Sequence, residues 1–324
     1  MTARSPNRAR LLTQLADGKF HSGEALARQT GTSRSAVWKQ LQALQQAGLG
    51  LERRRGRGYR LEHPIEPLDS EKIREAIPLT WRDRLRIACH DEVPSTNDLA
   101  LTQESRERRP ALVTAEVQRA GRGRRGRSWS GAYAAGISLS MGWHFPVVPS
   151  GLSGLAPAMA VVTAEALESR GVAPLALKWP NDIYLGEGKL AGLLIELRGP
   201  TEGPCDVTVG LGLNWALPAD PPEGAAGLGG QPGRNQLIGV LAGSFCEGLE
   251  RFAGQGFAAF QEAWNRRDRM AGKPVRIELP GAMQQGRSAG VDAEGAFLLE
   301  DVAGKIDRFQ VGEVSLRPGH GSAA

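Results

Sequence analysis

Gly121-Arg122-Gly123-Arg124-Arg125-Gly126-Arg127-Ser128-Trp129 is the stretch on which the reading of this chain turns. Four arginines and three glycines fall within nine residues, and the run stops at a tryptophan. Glycines let a backbone curl closely around a ligand, and arginines bring fixed charge and forked donors. The combination suits a polyanion, either the phosphates of a nucleotide or a nucleic acid. Just before it, Ala111 to Val117 reads as a β-run that feeds the loop, and Gly136 to Trp143 alternates like a half-buried strand. The loop therefore sits inside a mixed α/β body, and charge elsewhere decides which polyanion it meets.

The charge is divided unevenly. Residues 1–60 hold twelve Arg/Lys and three Asp/Glu, a local net of +9 in a chain whose total is +5, so the rest sums to −4. A basic N-terminal module on a mildly acidic body points to nucleic acid at that end. Leu11, Leu12 and Leu15 mark a first helix that stops at Asp17-Gly18. Ser22 caps a second, Thr30-Gly31-Thr32 turns, and Thr32 or Ser33 caps a third that carries Val37, Leu41 and Leu44. Two helices across a short Gly turn are the helix-turn-helix pattern. The outer face of the third helix shows Ser33, Arg34, Ser35, Trp38, Lys39 and Gln42. Leu49 to Leu61 then brackets Arg53-Arg54-Arg55-Gly56-Arg57-Gly58, a hairpin whose basic tip suits phosphates, with Arg54, Arg55 and Arg57 as candidates. The plainer reading is a three-helix module with a solvated basic face. With the DNA charge placed here, the loop at 121–127 is free for a nucleotide.

At 324 residues, the chain is long enough for two or three domains. Its three cysteines, Cys89, Cys205 and Cys246, form neither a disulfide framework nor a zinc spacing, and no apolar leader or membrane-length run is visible. A soluble protein of the reducing cytoplasm is expected. The predicted fold class is α+β in four segments. A winged helix-turn-helix covers 1–62, a Pro-containing linker 63–68, a mixed α/β body with a mostly antiparallel sheet 69–271, and a small β-barrel 272–324. The Pro/Gly/Ala tract from Pro218 to Gly233 reads as a mobile surface loop.

Four clusters in the body carry chemistry. Ser95-Thr96-Asn97 either caps a helix or binds a ligand's polar head. Gln118 opens the basic loop. Lys178-Trp179-Pro180-Asn181-Asp182 sets a cation, a ring, a rigid turn and an acid within five residues, with core packing the alternative for Trp179 and a turn role for Asp182. Gly188-Lys189-Leu190-Ala191-Gly192 places a lysine at the start of an apolar strand. With Gly210-Leu211-Gly212-Leu213-Asn214, these motifs are similar in order and spacing to those of biotin protein ligases. Together with the N-terminal module, the chain resembles the bifunctional class that doubles as a biotin operon repressor, the BirA family, from about Leu11 to Arg317.

That resemblance implies a central domain of the biotin/lipoate ligase type and a C-terminal SH3-like barrel. It implies formation of biotinyl-5′-AMP from biotin and ATP with Mg²⁺, then transfer of biotin to a lysine of the biotin carboxyl carrier protein of acetyl-CoA carboxylase. Ser95, Thr96, Asn97 and Gln118 would face biotin, with Arg122, Gly123, Arg124 and Lys189 at its carboxylate or acyl-phosphate. Arg124, Arg127, Trp129, Lys178, Asn181, Asp182 and Asn214 would line the nucleotide side. Lys189, Arg124 and Arg122 are the expected catalytic cations. The adenylate-bound form would be a homodimer on operator DNA. Alternatives of other kinds are a biotin-sensing regulator without ligase activity, a monofunctional ligase with a vestigial DNA-binding module, and a lipoate ligase.

Overall fold

The computed structural model describes residues 6–63, 65–107, 109–129, 131–146, 152–199, 203–218, 221–279, 282–310 and 315–318. The N-terminal module is α1 (Pro6–Leu15), α2 (Gly23–Thr30), α3 (Arg34–Gln46) and the hairpin β1 (Leu51–Arg54) with β2 (Gly58–Leu61). Ser22 and Ser33 cap α2 and α3 by accepting from the amides of Ala25 and Ala36. Leu11, Leu12, Leu15, Leu26, Val37, Leu41 and Leu44 form the module's core. At the root of the wing Gly58 has φ +106°, and a Cβ there would lie 1.9 Å from the His21 carbonyl oxygen. That closeness lets His21 and Tyr59 exchange backbone hydrogen bonds of 2.9 Å.

Two short helices follow, α4 (Ser70–Ala76) and α5 (Leu79–Arg82), which periodicity does not reveal. Each is too brief for a 3.6-residue pattern, with Ile73 and Trp81 their buried residues. The body then runs β3 (Arg86–Val93), α6 (Thr96–Glu107), β4 (Ala111–Gln118), β5 (Ile137–Phe145), α7 (Leu155–Glu168), β6 (Leu175–Lys178), β7 (Asp182–Leu185), β8 (Gly188–Arg198), β9 (Cys205–Leu213), α8 (Arg234–Gln255) and α9 (Ala258–Asn265). Among the described residues its sheet has the order β3-β4-β5-β9-β8-β7-β6. Only β3 and β4, joined through α6, are parallel; the other neighbours are antiparallel, as the short hairpins imply. Helices α7 and α8 cover the sheet with apolar faces.

The last segment is a five-stranded antiparallel sheet in the order β13-β12-β11-β10-β14. Its strands are β10 (Pro274–Leu279), β11 (Ala282–Val291), β12 (Phe297–Glu300), β13 (Ile306–Phe309) and β14 (Ser315–Pro318). Val275, Ile277, Phe297 and Leu299 share one core with the body. Trp179 belongs to that junction. Its indole N–H donates to the Gly295 carbonyl at 3.1 Å and its ring lies 5.5 Å from that of Phe297. The packing alternative for Trp179 is thus what the fold contains. Pro64 of the linker and residues 311–314 and 319–324 of the expected barrel lie outside the described residues. Among the described residues no helix is long and apolar enough to cross a membrane.

The segment between module and body is no loose tether. The Glu66 carboxylate accepts from the Arg234 and Asn235 amides, and the Leu68 amide donates to Glu116 at 2.7 Å. Arg234 and Glu116 are an ion pair with both side chains fully buried. Arg234 also donates to the carbonyls of Gly136 at 3.0 Å and Glu66 at 3.1 Å. Removing one partner strands the other charge in a dry site. Arg234→Ala is expected to cost about 3–5 kcal/mol of unfolding free energy, read from urea titration. A loss below about 1 kcal/mol would show that water reaches Glu116 and that the pair is not a structural hub.

Candidate active site

A face of the sheet made by β5, β8 and β9, together with the start of α6, the loop at 121–129 and the β6–β7 turn, lines a cavity of about 270 Å³. Its inner wall is a polar web. Ser95, Thr96 and Asn97 are buried at the start of α6. The Gln118 side-chain oxygen accepts from the Thr96 amide at 2.8 Å and from its hydroxyl at 3.1 Å, while its NH₂ donates to the Ser138 hydroxyl at 3.2 Å. The Ser140 hydroxyl reaches both Thr96 Oγ1 and Asn97 Oδ1 at 2.6 Å. Asn97 donates to the Glu196 carboxylate at 2.7 Å. Gly210 makes room for this: a Cβ there would sit 2.2 Å from Asn97 Oδ1.

The glycine–arginine loop forms one rim. It closes on itself, with the Gly123 amide donating to Arg127 O at 2.7 Å and the Trp129 amide to Gly121 O at 2.8 Å. Arg125 takes the left-handed conformation, φ 56°, and donates to the Glu278 carbonyl of β10 at 3.3 Å. Arg122 forks onto Asp98, at 2.6 and 3.2 Å, and reaches Glu196 at 3.0 Å. Asp98 and Glu196 hold its pKa well above the usual guanidinium range. Burial pushes the Arg124 pKa down, while Asp182 opposes that shift. Trp129 lies flat against β9, where a Cβ on Gly212 would meet its ring at 2.3 Å.

Opposite the loop stand Lys178, Asn181, Asp182 and Lys189. Lys189 Nζ is 2.5 Å from the Asp182 carboxylate and 5.9 Å from the Trp129 ring centroid. The Asn181 amide donates to the Leu193 carbonyl at 2.6 Å. The cavity thus brings together Ser95, Thr96, Asn97, Gln118, Arg122, Gly123, Arg124, Arg127, Trp129, Lys178, Asn181, Asp182 and Lys189. Asn214 is the exception. It lines a smaller cavity of about 60 Å³ on the other side of Trp129, with Leu217 and Pro218, and donates to Ala226 O at 3.0 Å. The tract expected to be a mobile loop is fastened there. Lys189 and Ala226 bond through Lys189 O, the Lys189 amide reaches Gly224 O at 2.7 Å, and Trp215 donates to Pro232 O at 2.7 Å.

Ser138, Ser140, Asp98 and Glu196 were not expected from the sequence. The two serines do carry a signal, polar residues at a spacing of two within the run Gly136 to Trp143. The carboxylates carry none, because they lie 24 and 74 residues away from their partner Arg122.

On the N-terminal module, Arg34, Ser35, Trp38, Lys39 and Gln42 are all exposed along α3. Ser33 spends its hydroxyl on the cap and on Ser35 at 2.9 Å. In the wing, the Arg54, Arg57 and Arg60 guanidiniums lie 5.3, 4.6 and 4.7 Å from the Phe20 ring, and Arg54 also pairs with Glu52 at 2.5 Å. Arg55 is exposed at the turn.

Comparison with known proteins agrees with this architecture segment by segment. Residues 7–60 match the HTH domain family, 89–214 the biotin/lipoate A/B protein ligase family, and 271–317 the biotin protein ligase C terminal domain. The bifunctional ligase/repressor BirA of Salmonella typhimurium is 35% identical over 316 residues, covering 95% of this chain and 96% of the relative. A biotin--[acetyl-CoA-carboxylase] ligase of Paracoccus denitrificans is 34% identical over 65% of this chain and 92% of its own. The structure of the Aquifex aeolicus biotin protein ligase in complex with biotin and ATP superposes with a TM-score of 0.60 at 25% identity, over 72% of this chain and 99% of that one. With all three segments matched in order and the similarity running nearly end to end, the chain belongs to the BirA family of bifunctional biotin ligase/repressors.

Proposed function

We propose that the protein condenses biotin with ATP to biotinyl-5′-AMP, passes the biotinyl group to a lysine of the carrier subunit of acetyl-CoA carboxylase, and, adenylate-bound, dimerises on operator DNA. The observation that carries the reading is the pairing, across one cavity, of a neutral donor–acceptor web with Lys189 and the arginine rim. A ureido head needs donors and acceptors at fixed positions, which Thr96, Asn97 and Gln118 supply. The far end must hold a carboxylate against a triphosphate.

In the first step the biotin carboxylate attacks the α-phosphorus, and pyrophosphate leaves with the P–O electron pair. Two anions resist this approach, so cationic clamping and alignment carry the catalysis. Lys189, already poised against Asp182, faces the reacting oxygens, and Arg124 meets phosphate from the rim. In the second step the carrier lysine's neutral amine attacks the acyl carbon, the acyl C–O bond breaks with its electron pair on the departing AMP phosphate, and the nitrogen releases one proton to solvent. Asn214 and the fastened tract behind Trp129 are placed to receive the adenine side. Among the described residues no group of three or more metal-ligating side chains occurs, and Asp182 is the one carboxylate lining the main cavity. This donor set fits Mg²⁺ that arrives on the nucleotide, since Mg²⁺ in such sites takes one or two carboxylates plus phosphates. When bound it neutralises phosphate charge.

For both carrier and second subunit the candidate surface is the outer edge of β8. Strand β7 pairs with it over Gly188–Gly192, and Leu193–Arg198 run on beyond β7, with Leu197 55% exposed.

Incubation with biotin, ATP and a carrier domain should add one biotinyl mass to a single lysine. No mass shift, or an equal preference for lipoate, would overturn the ligase reading. Lys189→Ala is expected to slow adenylate formation by a factor of about 10²–10³, the scale for losing one transition-state charge partner, with biotin affinity changed far less. Equal losses in both would assign Lys189 to ground-state binding. Leu197→Asp is expected to weaken dimerisation in the presence of biotin and ATP at least about tenfold, seen by sedimentation. An unchanged dimer would remove the β8 edge from the interface.

A further inference from the structure

Six of the seven tryptophans are buried or half-buried, and Trp38 alone is exposed, at 43%. Nothing in the module's packing asks for a large apolar group there, because Val37, Leu41 and Leu44 already fill the inward face of α3. Trp38 stands in the middle of the outward stripe, one turn from Arg34 and one from Gln42, and directly before Lys39. A protein partner that covered the indole would also have to bury those two cations and would need acids to match them. A polyanion takes the same arrangement without that cost, with the cations on phosphates and the indole against whatever lies between. In the major groove of duplex DNA the one apolar group on a base edge is the 5-methyl of thymine.

We propose that Trp38 is a sequence-reading residue whose indole packs against a thymine methyl when α3 lies in the major groove. The proposal rests on the DNA-binding reading and deepens it: the module does not only hold phosphates but selects sites with thymine at a set position in each half-site. The Ser33 hydroxyl accepts the helix-cap bond from the Ala36 amide, which holds the start of α3 behind Trp38. Arg34 and Lys39 fix the register.

The test uses the full chain with biotin and ATP. Duplexes are enriched from a random-sequence pool, and each thymine of the enriched site is replaced in turn by deoxyuridine, which lacks only the methyl. Affinities are read by fluorescence anisotropy at fixed salt. Wild-type protein is expected to lose about fourfold at one thymine per half-site, the size of one buried methyl group. Trp38→Ala should bind the thymine duplex more weakly and show no further loss on deoxyuridine at that position. Trp38→Phe, which keeps an apolar ring, should retain part of the sensitivity. Two results would overturn the proposal: Trp38→Ala as sensitive to the missing methyl as wild type, or no methyl-sensitive thymine at all. Failure to enrich any duplex would overturn the DNA-binding reading itself, which separates the two. Circular dichroism of each variant confirms that the exposed substitution leaves the module folded.

Discussion

A guanidinium and a carboxylate with no exposure to water set the frame of this molecule. Two charges in a dry interior are tolerable only if their polar atoms find partners. Arg234 and Glu116 meet most of that demand by drawing in four separated parts of the chain, with Arg234 Nη2 alone of the guanidinium nitrogens left without a hydrogen-bond partner. Glu116 sits in β4 and takes the Leu68 amide; Arg234 opens α8 and takes the carbonyls of Glu66 and Gly136. The linker, β4, the start of β5 and the start of α8 are therefore fixed relative to one another. Two residues past Glu116 is Gln118, the anchor of the polar web, and one residue past Gly136 begins the strand that carries Ser138 and Ser140. The polar wall of the main cavity is thus tied to a pair that does not line it, although Glu116 reaches the smaller cavity beside Trp129.

The other wall works by close approach. Gly210 and Gly212 face the cavity from β9, and their missing side chains let Asn97 and the Trp129 ring lie directly on the strand. Trp129 then divides two spaces, the larger holding Lys189 and the arginine rim, the smaller holding Asn214. A ligand with a small polar head, a reactive carboxylate and an aromatic base at its far end would need this partition. The rim is braced on both sides. Arg122 is gripped by Asp98 and Glu196, and Arg125 leans on β10 of the last segment. Carboxylates that hold Arg122 also compete with any anion that calls on it, as Asp182 does at Lys189.

What could be read in the sequence was what is local. Helix caps at Ser22 and Ser33, the strands around the loop, and the residues of each short motif depend on neighbours a few positions away. Ile73 and Trp81 escaped notice because each is the single buried residue of its short helix, below any periodic signal. Asp98, Glu196 and the Arg234–Glu116 pair escaped because a charge in sequence looks the same whether its partner is solvent or a residue over a hundred positions distant. The Pro218–Gly233 tract misled for a related reason. Its composition describes chain stiffness, but its hydrogen bonds to the start of β8 come from the fold.

The docking of the N-terminal module follows the same logic and reaches the loop with which the sequence is most concerned. Tyr133 lies four residues beyond Trp129 and is buried in the module's core, not the body's. Its amide donates to Ala47 O at 3.1 Å, and its hydroxyl donates to the Asp91 carboxylate, which also pairs with Arg8 of α1. Asp91 is itself buried, so it needs both donors. The chain leaving the ligand rim is thus held by the N-terminal module through Tyr133, by its backbone amide as well as its side chain, and the body's first strand is held through Asp91, which meets that side chain. With Tyr133 only four residues along the chain from Trp129, and with its amide bonded to Ala47, the C-cap of α3, the rim and the DNA-facing helix are coupled through one short segment.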